Sequence, residues 1–179
     1  MISIPLTLIL TTVAVWQGER PSGPEPGAAI PALRVQVAAG PGEGQRLDVA
    51  SDREGRPTIY AFVQAAQLDR PMARLLRTID EALAARDPSG ELRLAAVWLT
   101  DQPENALEFL PRAQQSLRLT RTTWTVYEGQ RQGPDGWSIN DAVGITFVVA
   151  RDRKVVRSFG LDSWSDADAR RVLSALDTP

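Results

Sequence analysis

The sequence predicts one α/β domain in which a mixed β-sheet is covered by helices. Two observations lead to this prediction. Apolar, strand-like runs alternate with amphipathic segments through the middle of the chain, and two β-rich runs flank a short charged turn near its end. The alternation implies parallel strands joined by right-handed crossovers, whereas the short turn implies an antiparallel hairpin. A length of 179 residues is enough for one domain with a core of ordinary size.

The first half of the folded region predicts a hairpin, a buried strand and a helix. Residues 33–37 alternate between apolar and polar side chains, and residues 47–49 can pair with them across a Gly-Pro-Gly turn. Residues 58–63 are apolar and β-rich, which is typical of a central strand buried on both faces. The next segment has apolar residues at helical spacing, and we expect Asp69 to cap it and Asp80 to lie on its solvent face. The apolar positions of this helix are Met72, Leu75, Leu76, Ile79 and Leu83.

A second strand and helix follow the same pattern. Residues 92–99 form another buried strand, and we expect Asp101 to cap the helix that comes next. Pro111 lies inside that helix and predicts a kink or two shorter pieces. Residues 122–127 are β-branched and aromatic and predict a third strand, whereas residues 128–140 have no regular pattern and predict a loop.

The end of the chain predicts a hairpin and a helix. Residues 145–150 and 154–159 are strand-like and are separated by the charged turn 151–153. Ser165 and Asp168 have the spacing of a capping box, so the last helix is expected to begin there.

The composition excludes several classes of function. The chain has no Cys and no His, so it lacks a thiolate, a disulfide, and the commonest general base and metal ligand. Its net charge of −2 gives no electrostatic signature of a nucleic-acid partner. The spaced acidic residues of a calcium loop and the glycine loop of a phosphate site are also missing, and we expect neither a metal nor a cofactor.

The N-terminus predicts export. Residues 1–16 carry no charged side chain and are shorter than the about 20 residues of a membrane span, which favours a signal peptide or an apolar anchor. A buried N-terminal strand or helix is the alternative. Residues 17–29 are rich in Pro and Gly and predict a mobile linker, followed by one domain over residues 30–179. We expect a periplasmic or secreted protein that contacts a membrane only through an uncleaved N-terminal segment.

Three segments of this chain resemble the redoxin branch of the thioredoxin-like fold, which includes peroxiredoxin-like and thiol–disulfide exchange proteins. The clearest is residues 144–160, GITFVVARDRKVVRSFG, which resembles the cis-proline strand of redoxins and its hairpin. Residues 58–72 resemble the strand, reactive-cysteine loop and helix start, and residues 92–110 resemble the strand and helix that follow. The matching residues of the first segment are Thr146, Phe147, Val148, Val149, Lys154, Val155 and Val156.

The resemblance covers residues 30–177 and implies a three-layer thioredoxin-like sandwich with an N-terminal β-hairpin extension. The chain departs from redoxins at the reactive positions. Residues 67–70, Gln-Leu-Asp-Arg, stand where redoxins carry the reactive cysteine, and Gly144 stands at the cis-proline position. None of these side chains can supply the thiolate that the redoxin mechanism needs. The resemblance therefore implies a redox-inactive member without thiol oxidoreductase or thiol peroxidase activity.

The degenerate loop is the first candidate binding site. Ligands of open α/β sheets bind where strand ends meet helix N-termini, and the amides of such a terminus can hold an anion. The simpler alternative is that Asp69 is a helix cap and Arg70 a solvated side chain. The candidate residues are Gln64, Gln67, Asp69, Arg70, Gly144, Ile145 and Thr146.

The loop 128–140 is a second candidate contact surface, because it carries Arg131, Asp135 and Trp137 between glycines. Trp137 could equally pack on the core. The remaining tryptophans considered, Trp98, Trp124 and Trp164, are expected to be packing residues. A pair of carboxylates could support hydrolysis, but no pattern fixes such a pair. The candidates for such a pair are Asp101, Glu128, Asp135 and Asp141.

Three functions are compatible with these patterns. The first is a non-enzymatic module that binds a protein, peptide or other ligand through the face that redoxins use for substrates. The second is a hydrolase that uses paired carboxylates on the same scaffold. The third is a purely structural protein of the cell envelope.

Overall fold

The computed structural model describes residues 19–178 and contains one eight-stranded sheet with four α-helices. The predicted signal peptide or anchor, residues 1–16, lies outside these residues. In chain order the elements are β1 (Glu19–Arg20), β2 (Arg34–Ala39), β3 (Arg46–Asp48), α1 (Val49–Asp52), β4 (Thr58–Gln64), α2 (Arg70–Arg86), β5 (Arg93–Leu99), α3 (Pro103–Leu117), β6 (Thr122–Tyr127), β7 (Ile145–Arg151), β8 (Lys154–Leu161) and α4 (Asp166–Ala175).

The strand order is β1-β8-β7-β4-β5-β6-β2-β3. β4, β5 and β6 are parallel neighbours, and all other neighbouring pairs are antiparallel. The mixed sheet predicted from the sequence is therefore confirmed, as are the β2–β3 and β7–β8 hairpins. Asp152 and Arg153 form the tight turn of the second hairpin, and both have positive φ angles, which suits the right-handed twist of the strands.

The sheet is the middle of three layers. Side chains that alternate along β4 point to opposite faces, with Ile59, Ala61 and Val63 in one core cluster and Tyr60 and Phe62 in the other. The first cluster is covered by α2, α3 and α4. Both parallel crossovers, β4-α2-β5 and β5-α3-β6, advance in the same direction along the sheet, so right-handed connections place their helices on the same face. Loop segments and α1 cover the second cluster.

The start and middle of α3 differ from the sequence predictions. The helix continues through Pro111 without a break, so the two shorter pieces do not form. Gln102, not Asp101, is the residue before its first turn, and it makes no capping hydrogen bond through its side chain. Asp101 is instead exposed and lies 3.7 Å from the guanidinium of Arg131. The other two predicted caps, Asp69 of α2 and the Ser165–Asp168 capping box of α4, are confirmed.

Asp80 lies in the interior and not on the solvent face of α2. Its side chain is 1% exposed and accepts hydrogen bonds from the Thr120 and Arg121 N–H groups, at 2.9 and 2.8 Å, and from the Thr122 hydroxyl, at 2.7 Å. The helical pattern alone places a carboxylate outside, but the loop before β6 supplies donors that satisfy this one inside. Asp80 therefore fastens α2 to the start of β6.

Residues 19–29, the described part of the predicted linker, are packed on the domain and are not free of contacts. β1 pairs with the end of β8, and Arg20 forms a 2.5 Å ion pair with Asp162. Ser22 is buried, and the Gly27 N–H donates to Val155 O at 2.8 Å. Gly160 permits this approach because a Cβ there would overlap the Arg20 carbonyl. The division at residues 16 and 29 remains a prediction.

Within residues 19–178, no helix combines the length and the apolar character that crossing a bilayer requires.

Candidate functional site

The degenerate loop and Gly144 meet at the carboxyl end of β4. The Gln64 N–H donates to Gly144 O at 3.0 Å, and the chain then forms a short 3₁₀ turn, Ala65–Gln67, before α2 begins at Arg70. The antiparallel pairing of β4 with β7 brings the start of β7 to this end of the sheet. The two positions that the resemblance singled out, far apart in sequence, are therefore neighbours.

Asp69 joins α2 to the connection between β8 and α4. Its Oδ1 accepts the Met72 N–H at 2.7 Å, which caps the helix, and also the Trp164 Nε1–H at 3.0 Å. The indole ring of Trp164 is half-buried and lies over Gly144. Asp69 is thus a helix cap that also fixes an aromatic side chain at the site.

Gly144 leaves space for that ring. A Cβ on Gly144 would lie 2.7 Å from Gln67 Oε1 and 2.7 Å from Trp164 Cζ3, both too close for real contacts. The Gly144 N–H donates to Leu161 O at 3.1 Å, and its carbonyl accepts from Gln64, so both main-chain groups are used within the sheet. Among the described residues there is no cis peptide bond. The glycine that the resemblance assigns to the cis-proline position thus has a trans peptide bond and is covered by an indole ring.

Gln64 is a buried polar residue beneath this surface. Its side chain is 2% exposed, and Nε2 donates to the main-chain carbonyl of Arg131 at 2.8 Å. Oε1 has no hydrogen-bond partner among the described residues. Gln64 therefore ties β4 to the loop 128–140 and does not reach the exposed surface.

Ile145 and Thr146 are buried and unavailable to a ligand. Ile145 belongs to the core cluster beneath the helices, and the Thr146 hydroxyl is hydrogen-bonded to the Ser22 hydroxyl at 2.6 Å. The Asn140 N–H donates to the same Ser22 oxygen at 2.9 Å. The N-terminal segment thus covers this part of β7, and only the loop side of the candidate site is open.

Gln67, Asp69 and Arg70 are the candidate residues that lie on the surface, and of these Asp69 is already engaged by Met72 and Trp164. Arg70 begins a row of arginines along α2, with Arg74 and Arg77, beside an open groove of about 440 Å³ that also includes Leu117 of α3. Arg77 is paired with Glu81 at 2.7 Å. The exposed surface therefore offers a carboxamide, an aromatic edge and guanidinium groups.

The loop 128–140 separates its three candidates. Trp137 is completely buried, packs on Tyr60 and Phe62 with ring centroids 5.1 and 4.8 Å away, and donates from Nε1 to Ala32 O at 3.1 Å. Trp137 therefore packs on the core and is not a contact residue on the surface. Arg131 and Asp135 are exposed.

The carboxylates considered for hydrolysis make other contacts. Asp101 lies near Arg131, Glu128 forms a 2.6 Å ion pair with Arg46, and Asp141 accepts from the Gln132 amide at 2.9 Å. Among residues 19–178, no group of three or more acidic side chains could hold a metal ion.

Comparisons with known proteins agree with this geometry. No protein-family model and no curated protein matches the sequence. Peroxidoxin BcpB from Mycobacterium tuberculosis superposes with a TM-score of 0.63 at 14% identity, over 86% of this chain and 97% of that one. The thiol peroxidase from Chromobacterium violaceum has a TM-score of 0.58 at 16% identity, over 84% and 86% of the two chains. BsSco, a member of the Sco family of cytochrome c oxidase assembly proteins, has a TM-score of 0.57 at 14% identity, over 89% and 100%.

The chain has a thioredoxin-like fold. The resemblance to redoxins is confirmed at the level of the scaffold. Because the sequence contains no cysteine, this thioredoxin-like domain cannot carry out thiol chemistry with its own residues.

Two residues of the site were missed by the sequence predictions. Trp164 was expected only to pack, and Ser22 was placed in a mobile linker. The pairing of Ile145 with Leu161 puts the end of β8 beside the start of β7, so Trp164, three residues later, arrives at the site. The order of the hairpin strands could have indicated this position, whereas no local pattern marks Ser22.

Proposed function

We propose that this protein is a redox-inactive, thioredoxin-like module that binds a polypeptide through the surface formed by Gln67, Arg70 and Trp164 above Gly144. The observation that supports the proposal is the convergence of the degenerate loop, Gly144 and Trp164 at one end of the sheet. By the resemblance, this surface corresponds to the face that redoxins use for substrates, without the reactive group.

The groups on this surface suit a polypeptide. The Gln67 carboxamide can donate to a peptide carbonyl and accept from a peptide N–H, and the half-buried indole offers an apolar surface for a side chain. The main-chain groups of Gly144 are already hydrogen-bonded, so contacts would come from side chains. Arg70, exposed at the start of α2, favours a segment with an acidic residue.

Peptide selection tests this proposal. Peptides selected from a displayed random library against the wild-type protein are expected to bind Gln67→Ala and Trp164→Ala at least about tenfold more weakly, because hot spots concentrate binding energy. Fluorescence anisotropy of the labelled peptide gives the affinities. Arg112→Gln, an exposed arginine of α3 outside the groove beside Arg70, is the matched control and should bind as the wild type does.

Two results would contradict the binding proposal. One is a library that yields no saturable binder. The other is a set of peptides whose affinities are the same for both site variants and the wild type. Circular dichroism of each variant separates loss of binding from loss of folding.

Redox inactivity has a direct measurement. The purified protein should give the buffer rate in both an insulin-reduction assay and a thiol-dependent peroxidase assay, since no residue can form the required thiolate. A rate above buffer that increases with protein concentration would oppose this part of the proposal.

The proposal places the domain outside the cytoplasm. The uncharged residues 1–16 support export, and a fusion of residues 1–30 to an alkaline phosphatase that is active only after export tests it. Activity is expected for the fusion and should be lost when Leu8 and Leu10 are replaced by Arg. An inactive wild-type fusion, made at normal levels, would argue for a domain that stays inside.

The hydrolase hypothesis gains no support from the site, since three of its four candidate carboxylates contact basic or amide side chains. No specific observation favours the structural envelope role either. The binding module is therefore the function that we propose.

A further inference from the structure

We propose that the cavity between the N-terminal segment, α1 and the β7–β8 turn is a binding site for a small organic anion. It lies at the end of the sheet opposite the Gln67 surface, where Thr58 of β4 pairs with Ala150 of β7. The proposal does not depend on the polypeptide-binding function. The anionic group is a phosphate or a carboxylate, since the same guanidinium groups recognise both.

The charge of the lining supports an anion. Among residues 19–178, the cavity is lined by the arginines Arg56, Arg151 and Arg153 and by no acidic side chain. Asp52, Glu54 and Asp152 are neighbours of the lining residues in sequence, but all three are exposed and lie outside the lining. Because low-dielectric walls strengthen the field of such a group of charges, the cavity attracts negative charge.

Two of the arginines keep their positive charge because their hydrogen bonds go to neutral main-chain carbonyls. Arg151 donates to the main-chain carbonyls of Leu176 and Thr178, the latter at 3.0 Å. Arg56 donates to the carbonyls of Asp52 and Arg53, at 2.8 and 3.0 Å. These oxygens are neutral and orient the guanidinium groups without cancelling their charge. Arg56 also lies 3.9 Å from Glu54 Oε2, whose side chain is 75% exposed and strongly hydrated, so this pair is weak.

Arg153 is the free member of the group. Its main-chain carbonyl accepts from the Ile30 N–H at 2.9 Å, but its side chain makes no hydrogen bond or ion pair within residues 19–178. Its φ angle of 61° belongs to the tight hairpin turn, which places the side chain at the cavity. A guanidinium held at a cavity with unused donors is available to an anion.

The shape of the cavity indicates the size of the ligand. Its volume of about 220 Å³ is below the roughly 300–1,000 Å³ of sites for drug-sized molecules, so it suits one small ring or short chain. Ile30, Pro31, Ala50 and Ala150 supply apolar walls opposite the arginines. Burial raises the pKa of Tyr60, which also lines the cavity, to about 12, so its hydroxyl stays protonated and can donate to an oxyanion. An apolar body with one anionic group matches these walls.

Calorimetric titration of the full chain with phenyl phosphate, benzoate and neutral benzamide tests the site. We expect saturable binding of at least one of the two anions, weakened by added salt, and no binding of benzamide. The stronger anion identifies phosphate or carboxylate as the group recognised. Arg153→Gln should weaken binding by about tenfold or more, because it removes a charge-assisted hydrogen bond.

A second variant tests the cavity independently of charge. Ala50→Leu fills the space without changing an arginine and should also abolish binding, while Arg77→Gln on the far side of α2 should bind as the wild type does. The proposal is overturned if neither anion binds saturably, if benzamide binds as well as the anions, or if Arg153→Gln and Ala50→Leu both retain wild-type affinity.

Discussion

The two ends of the parallel strands are stabilised in different ways. At the amino end, buried charged side chains bind main-chain groups: Asp80 accepts from the loop before β6, and Arg53 donates to the carbonyls of Pro57 and Glu91 and to the Thr58 hydroxyl. At the carboxyl end, exposed or half-buried side chains, Asp69 and Trp164, make the corresponding contacts.

The difference explains how the scaffold can persist without its chemistry. Redoxins, by the resemblance, place their reactive group at the carboxyl end, where the buried side-chain hydrogen bonds of this chain, made by Gln64 and Thr146, join uncharged groups. The hydrogen bonds of the buried charges lie at the amino end, and neither set uses the side chains of residues 67–70 or Gly144, so changes there leave both sets intact. This separation of folding contacts from the ligand surface is expected when a site changes and the fold does not.

The largest expected effect is at the amino end. Asp80→Ala should lower the free energy of unfolding by about 3 kcal/mol or more, because buried donors of the loop before β6 lose their acceptor. Urea unfolding followed by circular dichroism measures this value. The adjacent Glu81→Ala removes only an exposed ion pair with Arg77 and should cost less than about 0.5 kcal/mol. Equal costs for the two variants would contradict the structural role of the buried Asp80 carboxylate.

A smaller effect is expected at the carboxyl end. Asp69→Ala removes a helix cap and the partner of the Trp164 indole, and should cost about 1 kcal/mol. Asp69→Asn keeps an acceptor oxygen and should restore most of that loss. A red-shifted tryptophan emission in Asp69→Ala alone would report the release of Trp164. A cost as large as that of Asp80→Ala would show that this end also holds the fold.

The smallest expected effect is a change in how the stability of the protein depends on pH in acid. Hydrogen bonds from the Ser89 hydroxyl and then the Leu92 N–H lower the pKa of Asp87 to about 2. Since this value is below that of the unfolded chain, the carboxylate stabilises the protein above about pH 4, and the contribution is lost as pH falls toward 2. Asp87→Asn, which has no such titration, should flatten the dependence of the urea midpoint on pH in this range. An unchanged dependence would contradict the assignment.

Some acid dependence should remain in Asp87→Asn because of Asp48. Burial alone would raise the pKa of Asp48, but hydrogen bonds led by those from the Leu33 and Ser51 N–H groups outweigh it and lower the pKa. Asp48 caps α1, so its carboxylate contributes to stability through the start of that helix.

The sequence predicted most of the regular elements because their signals are local. The apolar run of β4, the helical spacing of α2 and the Ser165–Asp168 box each depend on neighbours within a few residues. The burial of Asp80 could not be predicted in this way, since its donors at residues 120–122 are distant in sequence. The continuous course of α3 through Pro111 likewise has no local signal in the sequence, and the helix packs against β2 and β6.

The candidate site remains a prediction, although the structure shows which of its residues are neighbours and which are buried. Gln67 and Gly144 were identified through the resemblance, and the structure brings them together. The burial of Thr146 by Ser22 depends on the path of residues 19–29, which a Pro- and Gly-rich composition does not determine. The arginine cavity was missed because Arg56 and Arg153 lie on separate turns that meet only when β4 pairs with β7.

The pairing of β1 with the last residues of β8 determines where the N-terminal segment joins the domain. Glu19 lies opposite Leu161, at the end of the sheet that holds Gln67 and Trp164, and only Gln17 and Gly18 separate it from Trp16. Three peptide units span at most about 10 Å. A protein fastened to a surface by residues 1–16 would therefore turn the Gln67 surface toward that attachment plane and the arginine cavity away from it, so that a tethered and a released form would offer different surfaces to the surrounding solution.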